Sequence, residues 1–350
     1  MTDFKDMSPD PADGKPQLSQ PAPHDTRFAV ADFGGTNARF AMYSPDGQGT
    51  IQHHDPARFQ CRDFDRFEDA LQAYLDQLGY GVDGACISIA APVDGDRVNM
   101  TNLDWAFSIS ECRKKLGLQS LMVINDGVAA ALATTGATPS QTEVIKTGDV
   151  DETGSRLNLI PGTGFGLGCI IPHKGDWVPV KSEGGHATVA AVAMEEFAVL
   201  RQITETTGRA VGDRVLSGPG MFNIYRALAV VRGQHPADVD AREMTELALN
   251  RQDQLSTDAL DLYITLLGRL AGDLALTLNA HGGVYLSGSL LQRIGAERIR
   301  ERFNDGFMEK DKMADKVKRI PVNLLCLRDQ CLWGASVWIN SNISSGSPGV

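Results

Sequence analysis

Phe28-Ala-Val-Ala-Asp32, then Phe33-Gly-Gly-Thr-Asn37, then Ala38-Arg-Phe-Ala-Met-Tyr43 is an apolar run, a tight glycine turn and a second apolar run. About 130 residues later the pattern returns as Leu157-Asn-Leu-Ile160, Pro161-Gly-Thr-Gly-Phe-Gly166 and Leu167-Gly-Cys-Ile-Ile171. Glycine-rich turns with bare amides form concave nests for anions, phosphate above all. Two such nests in one chain point to two half-structures that close on one polyphosphate. Neither is a Walker A loop, because no Gly-x4-Gly-Lys-Ser/Thr occurs. Neither fits the dinucleotide fingerprint, since the glycines of the second lead into a strand rather than a helix. Each turn taken alone also reads as a plain hairpin that needs glycine for positive φ. The duplication, with Thr36 and Thr163 supplying hydroxyls, favours phosphate. Asp32, at the end of the first apolar run, suits a hydrated Mg²⁺ held through water.

The chain has 350 residues, 42% hydrophobic and 22% charged, which suits a globular protein of about two domains. Its net charge of −11 argues against nucleic acid, which calls for clustered Lys and Arg. The six cysteines are scattered with no Cys-x-x-Cys spacing, so zinc is not expected and free thiols in a reducing compartment are. Residues 1–26 are polar and proline-bearing, without the apolar core of a secretory signal, and read as a disordered tail. No apolar stretch approaches the length of a membrane span. A cytoplasmic protein is the expectation.

From Phe28 onward, strands alternate with helices. Phe64 to Leu78 has helical spacing, and Gly84-Ala-Cys-Ile-Ser-Ile-Ala-Ala91 is a buried strand ended by Pro92. Ser110 is placed to cap a helix through Leu116; Leu121–Ile124 is a strand, and Val128–Leu132 is helical. In the second half, helices are expected near Met194–Thr206, after Pro219, from about Asp258 to Leu278, and from Leu290. Strands are expected between Gly282 and Gly288 and over Val322–Leu327. Alternating units behind antiparallel hairpins indicate α/β layers in each half.

Three further constellations carry chemistry. Asn125-Asp126 follows a strand and opens a helix, so it reads equally as an N-cap and as a base at the carboxyl end of a sheet. Glu183-Gly-Gly-His186 offers an acceptor and a donor around two glycines, as sugar hydroxyls require, or is a surface turn. Asp213-Arg214 before Leu216-Ser-Gly-Pro-Gly220, and Asn102 and Trp105 of Thr101-Asn-Leu-Asp-Trp-Ala-Phe107, have equally ordinary structural readings.

Taken together, Asp32-Phe-Gly-Gly-Thr-Asn-Ala-Arg39, Met100-Thr-Asn-Leu-Asp-Trp-Ala-Phe-Ser-Ile109, Ile124-Asn-Asp126, Gly162-Thr-Gly-Phe-Gly166, Glu183-Gly-Gly-His186 and Arg214-Val-Leu-Ser-Gly-Pro-Gly220 resemble the bacterial glucokinase family. These are the ATP-dependent enzymes of the hexokinase/actin-like superfamily, and the likeness spans about residues 28–338. It implies an α/β fold of two ribonuclease-H-like domains around a cleft. Residues 27–136 with 327–350 would make the small domain, and 137–326 the large one. It also implies transfer of the ATP γ-phosphoryl group to the 6-hydroxyl of glucose with Mg²⁺, in a homodimer. Asp126 matches the family's catalytic base, while Asn125, Asp126, Glu183 and His186 match its sugar ligands. Gly34, Gly35, Thr36, Asn37, Gly162, Thr163 and Gly164 fall on its phosphate loops. Gly288 and Ser289 fall near its adenosine pocket.

Two departures follow from the same comparison. Asp213 stands where the family usually has a glutamate that binds sugar, which shortens the reach by about one C–C bond, ~1.5 Å. Ser289 stands beside Gly288 where two glycines are common. The cysteine-rich zinc motif of the repressor/open-reading-frame/kinase group is missing, because residues 187–200 contain no cysteine. The Asp213 departure leaves open a kinase for another hexose or one using polyphosphate. An ATP-binding switch on the same fold is the rival from another class.

Overall fold

The computed structural model describes residues 26–46, 50–100 and 103–344. The expected tail, up to residue 25, and Asn102 lie outside the described residues. The first half contains β1 (Phe28–Phe33), β2 (Asn37–Tyr43), β3 (His53–Gln60), α1 (Phe67–Leu78), β4 (Gly84–Ile89), β5 (Arg97–Asn99), β6 (Ala106–Ser108), α2 (Ile109–Lys115), β7 (Ser120–Asn125) and α3 (Asp126–Ala133). Its five-stranded sheet runs β3-β2-β1-β4-β7. The β1–β2–β3 edge is antiparallel and β1, β4 and β7 are parallel.

Alternation along β1 decides which side chains face which layer. Ala29, Ala31 and Phe33 join Phe40, Ile87 and the side chains of α1 in one core. Trp105 belongs to the same core, its ring 6.0 Å from that of Phe33, so its structural reading is the one observed. Phe28 and Val30 face the opposite layer with Cys86, Met122 and Ile124.

The second half contains β8 (Thr142–Lys146), β9 (Arg156–Pro161), β10 (Phe165–His173), β11 (Asp176–Val180), α4 (Met194–Thr207), α5 (Gly212–Val215), α6 (Gly218–Val231), α7 (Ala241–Leu249) and α8 (Gln254–Thr277). It continues with β12 (Gly283–Leu286), α9 (Ser289–Ile294), α10 (Ala296–Phe307), α11 (Ala314–Lys318), β13 (Val322–Leu325) and α12 (Gln330–Ser344). Its six-stranded sheet runs β11-β10-β9-β12-β13-β8, with β9, β12 and β13 parallel. Leu157, Leu159, Val284 and Leu286 bury one face under the helices α4, α6 and α8. Both glycine turns join antiparallel neighbours, β1 to β2 and β9 to β10.

Several boundaries differ from the sequence reading, each for a local reason. Ser108, not Ser110, caps α2, its hydroxyl accepting from Glu111 N at 3.2 Å. Ser110 lies one residue inside the helix, where its amide donates to the Asp96 carboxylate. α1 begins at Phe67 rather than Phe64, whose ring packs beside Phe59 outside the helix. α3 begins at Asp126, two residues earlier than its apolar run, because Asn125 supplies the cap. The C-terminal segment is one helix, α12, and it returns to pack against α3, β1 and β4 of the first half. No helix among the described residues is long and apolar enough to cross a membrane.

The element common to both halves is α3. One side meets α12 so closely that a Cβ on Gly334 would overlap the Ala129 carbonyl. The other side lies on β10, where a Cβ on Gly168 would overlap the Gly127 carbonyl. Backbone thus meets backbone on both sides, and neither contact can relax by turning a side chain. Gly334→Ala is expected to cost about 3 kcal/mol in urea unfolding. Gly136→Ala, whose added Cβ would meet nothing closer than 3.8 Å, should stay within about 0.5 kcal/mol of the parent.

Candidate active site

Asp32 lies next to last on β1, directly across from Arg39 of β2. Arg39 Nη1 donates to Asp32 Oδ2 at 3.0 Å, and Arg39 Nε lies 3.5 Å from Asp329 Oδ1, just before α12. The first turn is closed by Gly34 N–H donating to Asn37 O at 3.0 Å. Gly35 and Thr36 are exposed at its tip. Asn37 turns the other way: its Oδ1 accepts from Gln60 Nε2 at 2.7 Å and Arg58 Nε at 3.2 Å, which ties it to β3.

In the second turn Gly162 N–H donates to Gly164 O at 2.8 Å, with Thr163 exposed at the tip. Gly218 N–H, at the start of α6, donates to Gly162 O at 2.8 Å, so the positive end of that helix lies beside the turn. Gly288 closes in from below with φ of 100°, and a Cβ there would stand 2.9 Å from Pro161 O. Ser289 follows as the exposed first residue of α9. Gly34, Gly162 and Gly164 do not adopt positive φ. A Cβ on Gly162 would meet nothing within 4 Å. Positive φ is therefore not what these glycines supply; at Gly162 the backbone is open, whereas Gly164 is crowded by Asp213.

Of the two roles that the sequence left open, the structure shows the N-cap, and Asn125 fills it. Asn125 is the N-cap of α3, its Oδ1 accepting from Gly127 N at 2.8 Å and Val128 N at 3.3 Å. Its Nδ2 donates to Ala91 O at 3.2 Å, leaving the second amide hydrogen for another acceptor. Asp126 opens the helix, with its Oδ1 accepting from Gly127 N at 2.8 Å. Burial pushes its carboxyl up to about 6, and the charges of Asp32 and Glu183 add to the rise. Asp32 is likewise raised by burial, against the opposing pull of Arg39. Asp32 of β1 and Glu183 of the loop after β11 thus both act electrostatically on Asp126 of α3.

Glu183 and His186 bracket a short 3-10 turn, Gly184–His186, and His186 N–H donates to Glu183 O at 3.0 Å. Both residues are exposed, and the Glu183 carboxylate makes no capping bond. Gly185 seats the turn on β10, since a Cβ there would overlap the Phe165 carbonyl. The adjoining Asp213 reaches the second glycine turn: its Oδ1 lies 2.8 Å from the position of a Cβ on Gly164. Of the residues singled out as sugar ligands and phosphate loops, Asp213 is thus brought against Gly164, and Glu183 and Asp32 act on Asp126.

Cys331 and Ser88 also belong to this region, and no sequence motif marked them. Ser88 stands in register beside Asp32 on the adjacent strand. Cys331, in the first turn of α12, lies against both. Burial and the charges of Asp32 and Asp126 hold its thiol well above the usual range. Among the described residues, no three His, Cys, Asp or Glu side chains form a metal cage. The pair Asp32 and Asp126 suits instead a divalent ion that keeps much of its water and takes one or two carboxylates.

The glucokinase family profile matches residues 29–342. The glucokinase of Saccharophagus degradans is 37% identical over 314 residues, covering 89% of this chain and 98% of that protein. The crystal structure of a glucokinase from an Antarctic psychrotroph superposes with a TM-score of 0.83 at 32% identity, over 90% of this chain and 98% of the other. A glucokinase of Balamuthia mandrillaris, at 19% identity and a TM-score of 0.74, covers 90% of this chain and 93% of its own, and shares the fold. Two sheets joined through one helix, ordered motifs over nearly the whole length and this degree of identity lead to one statement: the chain belongs to the glucokinase family.

Proposed function

We propose that this protein is an ATP-dependent glucokinase, moving the γ-phosphoryl group of ATP to the 6-hydroxyl of D-glucose to give glucose 6-phosphate and ADP. The observation that carries this reading is Asp126. It begins a helix packed against β10, and it interacts electrostatically with Asp32 beside one glycine turn and Glu183 of the loop after β11. Phosphoryl transfer asks little covalent chemistry of a protein: it needs a positioned hydroxyl, a base and stabilisation of charge on the moving group.

Asp126, with its carboxyl near 6, is mostly ionised at neutral pH yet basic enough to take a proton. In this reading it orients the 6-hydroxyl and accepts its proton late in the transfer. Asn125, Glu183, His186 and Asp213 hold the remaining hydroxyls. The turns at Gly34–Asn37 and Gly162–Gly164 cradle the polyphosphate, and the start of α6 adds its dipole. Gly288 and Ser289 border the nucleoside. Asp32, with Asp126 nearby, would hold hydrated Mg²⁺, which supplies charge neutralisation on the phosphates. Closure of the two domains, residues 27–136 with 327–350 against 137–326, would keep water from competing with sugar for the phosphoryl group. Cytoplasmic placement in glycolysis and a homodimer complete the proposal.

The deciding assay is ADP release against a panel of hexoses and phosphoryl donors: glucose with ATP should be preferred, and polyphosphate should not replace ATP. Asp126→Ala should lower kcat by about 10²–10⁴-fold; a variant keeping a tenth of parent activity removes the base assignment. Because the base works ionised and its carboxyl is raised, kcat/KM should fall as pH drops through about 6. Gly162→Ala should leave the unfolding midpoint unchanged, since the added Cβ meets no protein atom, yet raise KM for ATP by about tenfold. Asp213→Glu, restoring about 1.5 Å of reach past Gly164, should lower KM for glucose.

A further inference from the structure

Three parallel strands end side by side beneath the candidate site. In register, Asp32 of β1 pairs with Ser88 of β4, and Ser88 pairs with Ile124 of β7, just ahead of Asn125 and Asp126. Residues paired in this way in parallel strands point to the same face. That face is covered by α12. Ser88 is fully buried, and its hydroxyl has no hydrogen-bond partner among the described residues. A buried hydroxyl without a partner is costly, so the neighbour it does have matters.

That neighbour is the Cys331 thiol. Its Sγ donates to the main-chain oxygen of Asp126 at 3.8 Å and lies beside Ser88 and the Asp32 carboxylate. We propose that Cys331 is a positioning residue for phosphoryl transfer, joining the first turn of α12 to the strand ends that carry Asp32 and Asp126. The S–H donates to the Asp126 main-chain oxygen, while the sulfur packs beside Ser88 and Asp32. Contact with the Asp126 carbonyl fixes the backbone that presents the base. Since α12 also packs its backbone on α3 through Gly334, one helix registers both carboxylates against each other.

The inference rests on the phosphoryl-transfer reading, and its test separates the two. The full chain is assayed with glucose and ATP as the parent and as Cys331→Ala and Cys331→Ser, with kcat, both KM values and the thermal midpoint measured for each. Cys331→Ala is expected to lower kcat by about fivefold, the scale of losing one neutral hydrogen bond, with KM for glucose changed by less than about twofold. Cys331→Ser keeps a donor and should restore most of the loss. If Cys331→Ala retains parent kcat, the positioning role is wrong while the kinase reading stands. If kcat falls only in step with the midpoint and serine gives no rescue, Cys331 is a packing residue and the inference is overturned. A parent that releases no ADP with any hexose overturns the kinase reading itself, and this inference with it.

Discussion

The close approach of α3 to its two neighbours fixes much of the rest. Gly127 touches β10 through Gly168, and Ala129 touches α12 through Gly334, in both cases by main chain alone. Side chains can change rotamer, but two backbones in contact leave no such freedom. Asp126, the first residue of this helix, is therefore placed relative to the second glycine turn by the covalent geometry of β10. It is placed relative to Asp32 by the parallel register of β1, β4 and β7. A short helix buried in this way is a rigid carrier for a group that has to be positioned well for proton transfer.

Electrostatics explains why such rigidity matters. The site gathers Asp32, Asp126, Glu183 and Asp213 in a chain whose net charge is already −11, yet its proposed substrate is a polyanion. The fold answers with local donors: exposed turn amides, the start of α6 against Gly162, and Arg39 paired with Asp32. A net charge says little about a cleft a few ångströms across, where short-range donors dominate over screened distant charges. Burial, with the charges of Asp32 and Glu183 added, lifts the Asp126 carboxyl to about 6.

Much of the fold was legible in the chain. The two glycine-punctuated hairpins, the buried strands at Gly84–Ile89 and Ser120–Asn125, and the long helix before Gly282 all stand close to where their residue patterns put them. These are local features, set by period and by turn chemistry. The errors were local too: Phe64 belongs to the apolar pattern of α1 but not to its helix, and Ser108 won the cap from Ser110 because its hydroxyl reaches Glu111 N. Asn125 shows the limit of motif reading, since one side chain caps a helix and still keeps a hydrogen for a ligand.

The sequence by itself determined most element types, the two glycine turns and the residue types that flank them, because each depends on neighbours a few positions away. Tertiary structure alone decided that Gly162 is open for reasons other than φ, that Asp213 reaches over Gly164, and that Asp32 and Asp126 act on each other. It alone brought Cys331 from the far end of the chain to Ser88 and Asp32. Such placements come from strand register and helix packing, which act between segments hundreds of residues apart and leave no period in the sequence.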